Sequence, residues 1–305
     1  MKIEVKALSK WYGQVIGVNN LSFTVEPGVT GFLGPNGAGK TTMLRLMTGQ
    51  MKPSQGQVLI NGESIWNHEK INRYLGYCPE QDAFWPYLTG EEFVTDLTQM
   101  HGFSKAESRE RALEAIQEVG MTEAEKKKIG SYSKGMRQRI KLAQAIAHDP
   151  DVLFLDEPLN GMDPLARRAT VALIKKLGVL GKAVVVSSHV LHEVEEMTDK
   201  IVLINHGRLL AEGDIYEIRK LIDNHPLQVS IRCNQVNVLT AQLLAFDDVQ
   251  SVEFDREKHQ LTVETRNPEA FYQRLPEIVL DNKIDVYSMW SPDENLEAVF
   301  DYLVR

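Results

Sequence analysis

Short alternating or apolar runs separated by turn residues dominate the first part of the chain. KIEVKALSK (2–10) alternates polar and apolar positions, and LSFTVEPG (21–28) runs into a Pro-Gly turn. VTGFL (29–33) is mostly apolar, and QVLING (57–62) ends at Asn-Gly. Runs of this length and period predict β-strands joined by turns. One helix is predicted in this part, over residues 39–49.

The pattern becomes helical after the strand-rich part. Thr89 and Glu92 have the spacing of a capping box, in which each residue satisfies a backbone N–H of the other. The segment RALEAIQEVG (111–120) places apolar residues on one helical face and ends at a glycine. We therefore predict a helical subdomain over about residues 82–150.

Strands and helices alternate after Pro150. Asp163 is the predicted N-cap of a helix that has Pro164 at its first position. The predicted elements are a strand over 151–157, helices over 162–178 and 190–199, a strand over 182–189, and two strands over 200–214 that turn at His206-Gly207. Such alternation predicts a largely parallel sheet that is covered on both faces.

The alternation ends near DNHPL (223–227), where we place a domain boundary. The first predicted domain covers residues 1–222 and the second covers 223–305. The second domain reads as strand, helix, strand, strand, helix and strand, which is the order of a small ferredoxin-like α+β fold. A last helix is predicted to begin at SPDE (291–294). For this domain an interaction role and a purely structural role both remain open.

Composition narrows the class of protein. The 305 residues include 34 Lys or Arg and 42 Asp or Glu, so the formal net charge is −8. An acidic chain is not expected to bind nucleic acid in general. No apolar run approaches the ~18 residues of a membrane span, and the polar start is not a signal peptide. Cys78 and Cys233 are isolated, as is usual in a reducing compartment. We expect a cytoplasmic protein without a span of its own.

The strongest chemical signal is GPNGAGKT, which fits the P-loop (Walker A) pattern GxxxxGK[ST] between a predicted strand and a predicted helix. Its glycines allow successive backbone N–H groups to surround phosphate oxygens. Lys40 is expected to reach the β- and γ-phosphates, and Thr41 to offer its hydroxyl to Mg²⁺. The predicted nucleotide-binding residues of this loop are Gly34, Pro35, Asn36, Gly37, Ala38, Gly39, Lys40, Thr41 and Thr42.

Three strand ends supply further candidates for the same chemistry. Asp156 and Glu157 end an apolar strand, where ligands of such sheets bind; Asp156 is expected in the metal shell, and Glu157 is expected to orient or deprotonate water. Gln81 follows the strand YLGYC, and its amide is a candidate for both the metal and the water. His189 ends VVVSSH and is a candidate γ-phosphate ligand. In the first strand, Tyr12 is a candidate for stacking on a purine base.

A second phosphate-binding segment is indicated by SYSKGMRQRI (131–140). Ser133 and Gly135 lie where a helix is predicted to begin, and a helix N-terminus favours anions. One chain therefore carries two candidate phosphate sites, far apart in the sequence.

Six motifs together carry a family resemblance. GPNGAGKTT, PEQD, YSKGMRQR, DVLFLDEP, NGMD and SSH have the order and spacing of ATP-binding-cassette (ABC) nucleotide-binding domains, over residues 1–222. The resemblance implies a P-loop NTPase fold with a RecA-like core, an antiparallel β subdomain and a helical subdomain. It also implies ATP and Mg²⁺ as cofactors and a head-to-tail pair of cassettes, so that Ser133 and Gly135 contact the ATP of the opposite subunit. Asp163 is then expected at the dimer seam.

The segment YSKGMRQR (132–139), which corresponds to the family's signature segment, also narrows the subgroup within the family. The family usually has Gly-Gly after the serine, whereas here Lys134 replaces the first glycine and Met136 a common glutamine. YSKGMRQR resembles cassettes of the ABC-2 exporter type, and residues 82–88 are then expected to receive the coupling helix of a separate membrane permease. The resemblance implies an ATPase subunit on the cytoplasmic face of a membrane, paired as a homodimer or a heterodimer. A regulatory ABC ATPase without a transport role is the alternative.

Overall fold

A computed structural model describes residues 1–215, 227–255 and 258–291. The chain divides into two compact units, Met1–Asp214 and Ile215–Arg305. The domain boundary predicted at residues 222–223 lies outside the described residues.

A six-stranded sheet forms the centre of the first unit. In spatial order its strands are β10 (Arg208–Asp214), β9 (Lys200–Asn205), β3 (Gly28–Leu33), β8 (Ala183–Ser188), β7 (Val152–Asp156) and β6 (Leu75–Cys78). The five strands from β9 to β6 are parallel, and β10 pairs antiparallel with β9 at one edge. Every residue of β7 and β8 is buried, as expected for strands covered on both faces. The predicted largely parallel sheet, covered on both faces, is confirmed.

An antiparallel sheet packs against this centre. Its strands, in spatial order, are β2 (Val15–Val25), β1 (Ile3–Tyr12), β4 (Gln55–Ile60) and β5 (Glu63–Ser64). One hydrophobic core joins both sheets and helix α1 (Lys40–Met47). Phe23 of β2 and Phe32 of β3 lie with their ring centroids 5.9 Å apart within this core. The P-loop, which connects β3 to α1, is therefore anchored at both ends in a close-packed core.

The remaining helices of the first unit surround the sheets. They are α2 (Glu69–Asn72), α3 (Gly90–Gln99), α4 (Lys105–Glu118), α5 (Lys134–Ile146), α6 (Pro164–Val179) and α7 (Leu191–Glu195). The capping box at the start of α3 is present: the Glu92 N–H donates to Thr89 Oγ1 at 3.2 Å and the Thr89 N–H donates to Glu92 Oε2 at 2.8 Å. Helices α3, α4 and α5 contact one another and lie within the predicted helical part.

The second unit contains β11 (Leu227–Cys233), α8 (Val236–Leu243), β12 (Val249–Asp255), β13 (Gln260–Thr265), α9 (Pro268–Asp281) and β14 (Val286–Trp290). Its strands pair antiparallel in the order β12-β13-β11-β14. Both helices contribute to its separate core, which includes Leu239 and Phe271. This order of elements agrees with the sequence, while the ferredoxin-like assignment stays a prediction. The helix predicted from residues 291–294 lies outside the described residues.

Candidate functional site

The P-loop lies between β3 and α1, and its backbone leaves no space for side chains at two glycines. A Cβ atom at Gly34 would lie 2.3 Å from the Ile204 carbonyl oxygen, and one at Gly39 would lie 2.5 Å from the Gly17 carbonyl oxygen. Gly39 has a φ of 106° and is the residue before α1 begins. A left-handed glycine at this position turns the loop directly into the N-terminus of the helix, which is the arrangement that favours phosphate.

Lys40 connects this loop to the end of β7. Its buried ammonium donates to the carbonyl oxygens of Gly34 at 2.6 Å and Pro35 at 3.3 Å, and lies 3.8 Å from Glu157 Oε1. Burial lowers the pKa of Lys40, while the carboxylates of Glu157 and Asp156 oppose that change. The predicted phosphate ligand therefore lies next to the predicted catalytic carboxylate.

Asp156 is the last residue of β7 and is almost fully buried. Its Oδ1 atom accepts a hydrogen bond from Ser187 Oγ at 2.5 Å, whereas its Oδ2 atom is buried and has no partner among the described residues. Burial raises the pKa of Asp156, and the hydrogen bond from the Ser187 hydroxyl opposes this rise. A carboxylate oxygen without a partner next to a hydroxyl fits the oxygen ligands that Mg²⁺ prefers.

Glu157 is held in place by its backbone and its side chain. Its φ is 49°, and its N–H lies 3.1 Å from Ser187 Oγ. His189 Nδ1 lies 2.9 Å from both carboxylate oxygens. Burial raises the pKa of Glu157, and the hydrogen bond to His189 together with the charge of Lys40 opposes the rise. Lys40, Asp156, Glu157 and His189 thus form one cluster at the carboxyl edge of the sheet.

Two other predicted residues lie nearer the surface. The Tyr12 hydroxyl lies 3.3 Å from Thr42 Oγ1, and it donates to Met51 Sδ at 3.2 Å. Tyr12 is 45% exposed, and the Lys10 ammonium lies over its ring, 5.8 Å from the ring centroid. Gln81 is exposed, and its side chain has no hydrogen bond within the described part of the chain. The structure therefore brings Tyr12 to the loop but does not join Gln81 to the cluster.

Sequence reasoning missed the residue that follows Gln81. Asp82 accepts from Arg137 Nε at 2.7 Å, and its other oxygen lies 3.0 Å from Lys141 Nζ. Although burial opposes the change, these two cations lower the pKa of Asp82. Lys141 also donates to the Glu80 carbonyl oxygen at 2.7 Å. The spacing of Arg137 and Lys141, four positions apart on α5, places two cations on one helical face and was the available signal. The 80–82 loop is thereby joined to α5.

The second phosphate segment is the start of α5. Ser133 is the N-cap, and its Oγ accepts from the Met136 N–H at 3.2 Å. A Cβ atom at Gly135 would lie 2.9 Å from the Gly161 carbonyl oxygen. Asp163 caps α6 by accepting from the N–H groups of residues 165 and 166 at 3.0 and 2.9 Å. Gly135 therefore adjoins the loop before Asp163.

An open cleft of about 630 Å³ lies between the helical part and the sheets. Its lining includes Phe84, Trp85 and Phe93, and the rings of Phe84 and Trp85 each lie against the ring of Phe93. His148 in its wall stacks on His101 with ring centroids 3.7 Å apart, and burial lowers the pKa of His148 to about 4. The cleft therefore contains part of the 82–88 segment and presents mainly apolar and aromatic groups.

Two further findings concern the chain as a whole: its helices and its match to a family model. Within the described residues, no helix is both long and apolar enough to cross a bilayer. The family model described as ABC transporter matches residues 18–160.

Relatives match a larger part of the chain. It is 36% identical over 232 residues to the uncharacterized ABC transporter ATP-binding protein YxlF of Bacillus subtilis (strain 168), covering 75% of this chain and 77% of that protein. It is 30% identical over 300 residues to the daunorubicin/doxorubicin resistance ATP-binding protein DrrA of Streptomyces peucetius, covering 98% of this chain and 91% of that protein.

Solved structures share the fold of the first unit. A bacterial ABC transporter cassette solved as a dimer matches with a TM-score of 0.66 at 27% identity, over 70% of this chain and 98% of that one. A dimeric cassette in a post-hydrolysis state with ADP and phosphate matches with a TM-score of 0.65 at 26% identity, over the same shares. Fold and site together define an ATP-binding cassette with ATPase chemistry. The chain belongs to the family of ABC transporter ATP-binding proteins.

Proposed function

We propose that two copies of this chain close head to tail on two ATP molecules and power a separate membrane permease of the ABC-2 exporter type. The observation that carries the proposal is that one unit contains two helix starts with the features of a phosphate site. One is the P-loop beside Glu157, and the other is the start of α5, where Ser133 is exposed and Gly135 is half-buried. A nucleotide on the P-loop of one copy can meet the α5 start of a second copy.

Each chain would bind ATP at its own P-loop. The Tyr12 ring would stack on the base, and the N–H groups of residues 37–42 with Lys40 would surround the phosphates. Thr41 and Asp156 would hold Mg²⁺, with Gln81 as a further ligand, and the ion would offset phosphate charge.

Hydrolysis would use the buried carboxylate. Glu157 would orient or deprotonate the water that attacks the γ-phosphorus in line with the leaving oxygen. His189, at 2.9 Å from both Glu157 oxygens, would hold that carboxylate and bind the γ-phosphate. Loss of the γ-phosphate would remove the contacts of Ser133 and Gly135, with Asp163 at the seam, so that the two copies separate.

The pairing can be tested with cysteine crosslinking, because both native cysteines are buried. We expect chains carrying Ser133→Cys to crosslink with separate chains carrying Asn36→Cys when ATP is present, since α5 of one copy would cover the P-loop of the other. Glu157→Gln is included in both chains to retain ATP, and the crosslinked dimer is measured by non-reducing electrophoresis. The control pair is Asn36→Cys with Glu123→Cys, on the exposed surface. Equal yields from both pairs, or no ATP dependence, would contradict head-to-tail closure.

The permease is proposed to insert into the aromatic cleft, which places the chain at the cytoplasmic face of the membrane. The likeness to DrrA, which is named for drug resistance, supports the exporter type. We expect the tagged chain to co-purify with a polytopic membrane protein from detergent-solubilised membranes, and the variant Trp85→Asp to lose it, because a carboxylate opposes burial against an apolar partner. Mass spectrometry identifies the partner. Its absence from the parental preparation would favour a regulatory ABC ATPase without transport.

A further inference from the structure

Lys134 occupies a defined place although it replaces a glycine of the usual signature. Its ammonium donates to Asn160 Oδ1 at 2.8 Å. Its side-chain stem lies across Gly161, where a Cβ atom would approach Lys134 Cδ to 2.6 Å. Gly161 has a φ of 76°, a conformation that suits glycine. The side chain of Lys134 therefore packs on Gly161 and connects the start of α5 to the 160–163 loop.

The same loop leads back to the hydrolytic carboxylate. The Asn160 N–H donates to the Glu157 carbonyl oxygen at 3.2 Å. Gln138, one turn further along α5 and buried, donates to the same carbonyl oxygen through Nε2 at 3.3 Å. Helix α5 is thus connected to the backbone of Glu157 by two routes, one through Asn160 and one direct. A displacement of this backbone would also redirect the Glu157 carboxylate, because the Cα–Cβ bond moves with the backbone.

We propose that Lys134 is a positioning residue that links the two ATP sites of the dimer. This inference rests on the proposed function, in which Ser133 and Gly135 contact the partner's ATP and Glu157 acts on the chain's own ATP. The link between the two sites runs through Lys134 and Asn160. Closure over one nucleotide then aligns the carboxylate that cleaves the other. Lys134 itself contributes no phosphate contact, because its ammonium remains on Asn160.

A direct role of Lys134 on the partner's phosphate is the competing explanation. A cation at the first position of α5 is next to the positive end of the helix dipole, so the free ammonium would be unfavourable there without a partner. In the structure that partner is the neutral amide oxygen of Asn160, at 2.8 Å. A ligand for phosphate would have to release this hydrogen bond and lift its stem from Gly161. The two explanations therefore differ in whether Asn160 matters.

A double-mutant cycle on the full-length chain separates them. Lys134→Met keeps most of the stem and removes the donor, and Asn160→Ala removes the acceptor. We expect each variant, and the double variant, to lower kcat by about fivefold without further loss on combination, because both break one link. The KM for ATP is expected to stay within about twofold of the parental value, since binding does not use the link. Lys134→Arg retains a donor and is expected to recover activity.

Steady-state ATP hydrolysis and thermal unfolding are measured for every variant. The matched control is Lys175→Met, an exposed lysine of α6, for which the parental kcat is expected. Independent losses that multiply in the double variant would overturn the link. A raised KM with Lys134→Met but not with Asn160→Ala would assign Lys134 to phosphate instead, and parental kcat in both variants would remove any role. A parental chain without ATPase activity would overturn the proposed function itself.

Discussion

Glu157→Gln is expected to slow ATP hydrolysis by about 10²–10⁴-fold while ATP still binds, because general-base or water-orienting groups contribute on this scale. Glutamine has the same shape and can still hydrogen-bond His189. It cannot accept the proton of the attacking water, and it loses the attraction to Lys40, whose ammonium lies 3.8 Å from Glu157 Oε1. Uncleaved γ-phosphate would keep Ser133 and Gly135 engaged, so the variant should accumulate as an ATP-bound dimer.

Single-turnover experiments with ATP and Mg²⁺ measure the rate of hydrolysis. Sedimentation velocity with and without ATP and Mg²⁺ measures the amount of dimer. The control Glu123→Gln changes an exposed glutamate and is expected to hydrolyse ATP at the parental rate as a reversible dimer. Parental hydrolysis by the Glu157 variant would disprove the catalytic assignment. Slow hydrolysis without an ATP-bound dimer would instead contradict the proposal that the γ-phosphate holds the two copies together.

Lys40→Ala is expected to weaken ATP binding by about 10²-fold or more, because charge-assisted hydrogen bonds to phosphate contribute roughly 1.5–3 kcal/mol each. The change also removes the donor to the Gly34 and Pro35 carbonyl oxygens, so the loop loses its internal support. Lys40 opposes the burial that raises the pKa of Glu157. Its removal should therefore raise that pKa further and leave less of the carboxylate ionised at neutral pH.

Titration of the full-length chain with ATP by isothermal calorimetry measures the affinity. Lys40→Met keeps the length of the side chain and is expected to behave as Lys40→Ala, which separates charge from packing. Lys175→Ala is the control for loss of a lysine elsewhere. Unaltered ATP affinity in both Lys40 variants would contradict the assignment of residues 34–42 as the phosphate loop.

The strand and loop at residues 29–42 were predictable because each signal is local. An apolar strand, a glycine-rich turn and the lysine that begins α1 follow one another, and the backbone angle of Gly39 needs a glycine. Helix α6 was equally predictable, since Asp163 and Pro164 mark its start. The prediction that this sheet is mainly parallel followed from the alternation of strands and helices.

Elements that depend on distant contacts were harder to predict. Helix α7 covers Leu191–Glu195, whereas the sequence predicted a helix over 190–199. Thr198, three residues beyond its end, is tied to β3 by its hydroxyl, which donates to the Val29 carbonyl oxygen at 2.7 Å. The Met197 and Thr198 N–H groups both donate to the Val194 carbonyl oxygen, which tightens the last turn. The local pattern of apolar residues cannot reveal this hydrogen bond to β3. The elements α2 and β5 are too short to show a pattern of apolar residues at all.

In the candidate site, too, local signals could be predicted and contacts between distant segments could not. Lys40 was predicted from the P-loop pattern. Asp156, Glu157 and His189 were predicted from strand ends, which parallel strands bring to one edge of a sheet. The Asp82 contacts with Arg137 and Lys141 join segments that lie far apart in the chain, and only the fold brings them together. The contact of Lys134 with Asn160 has the same origin, because the glycine pattern of the signature gives no direction to a lysine side chain.

The backbone of Glu157 has a consequence for how this position is used. A left-handed bend costs about 1 kcal/mol or more for most side chains and suits glycine or asparagine better. The fold therefore gives up some stability to keep a glutamate at the end of β7, where a smaller residue would sit with less strain. The proposed role of Glu157 in hydrolysis accounts for that cost, because the role requires a carboxylate at this position.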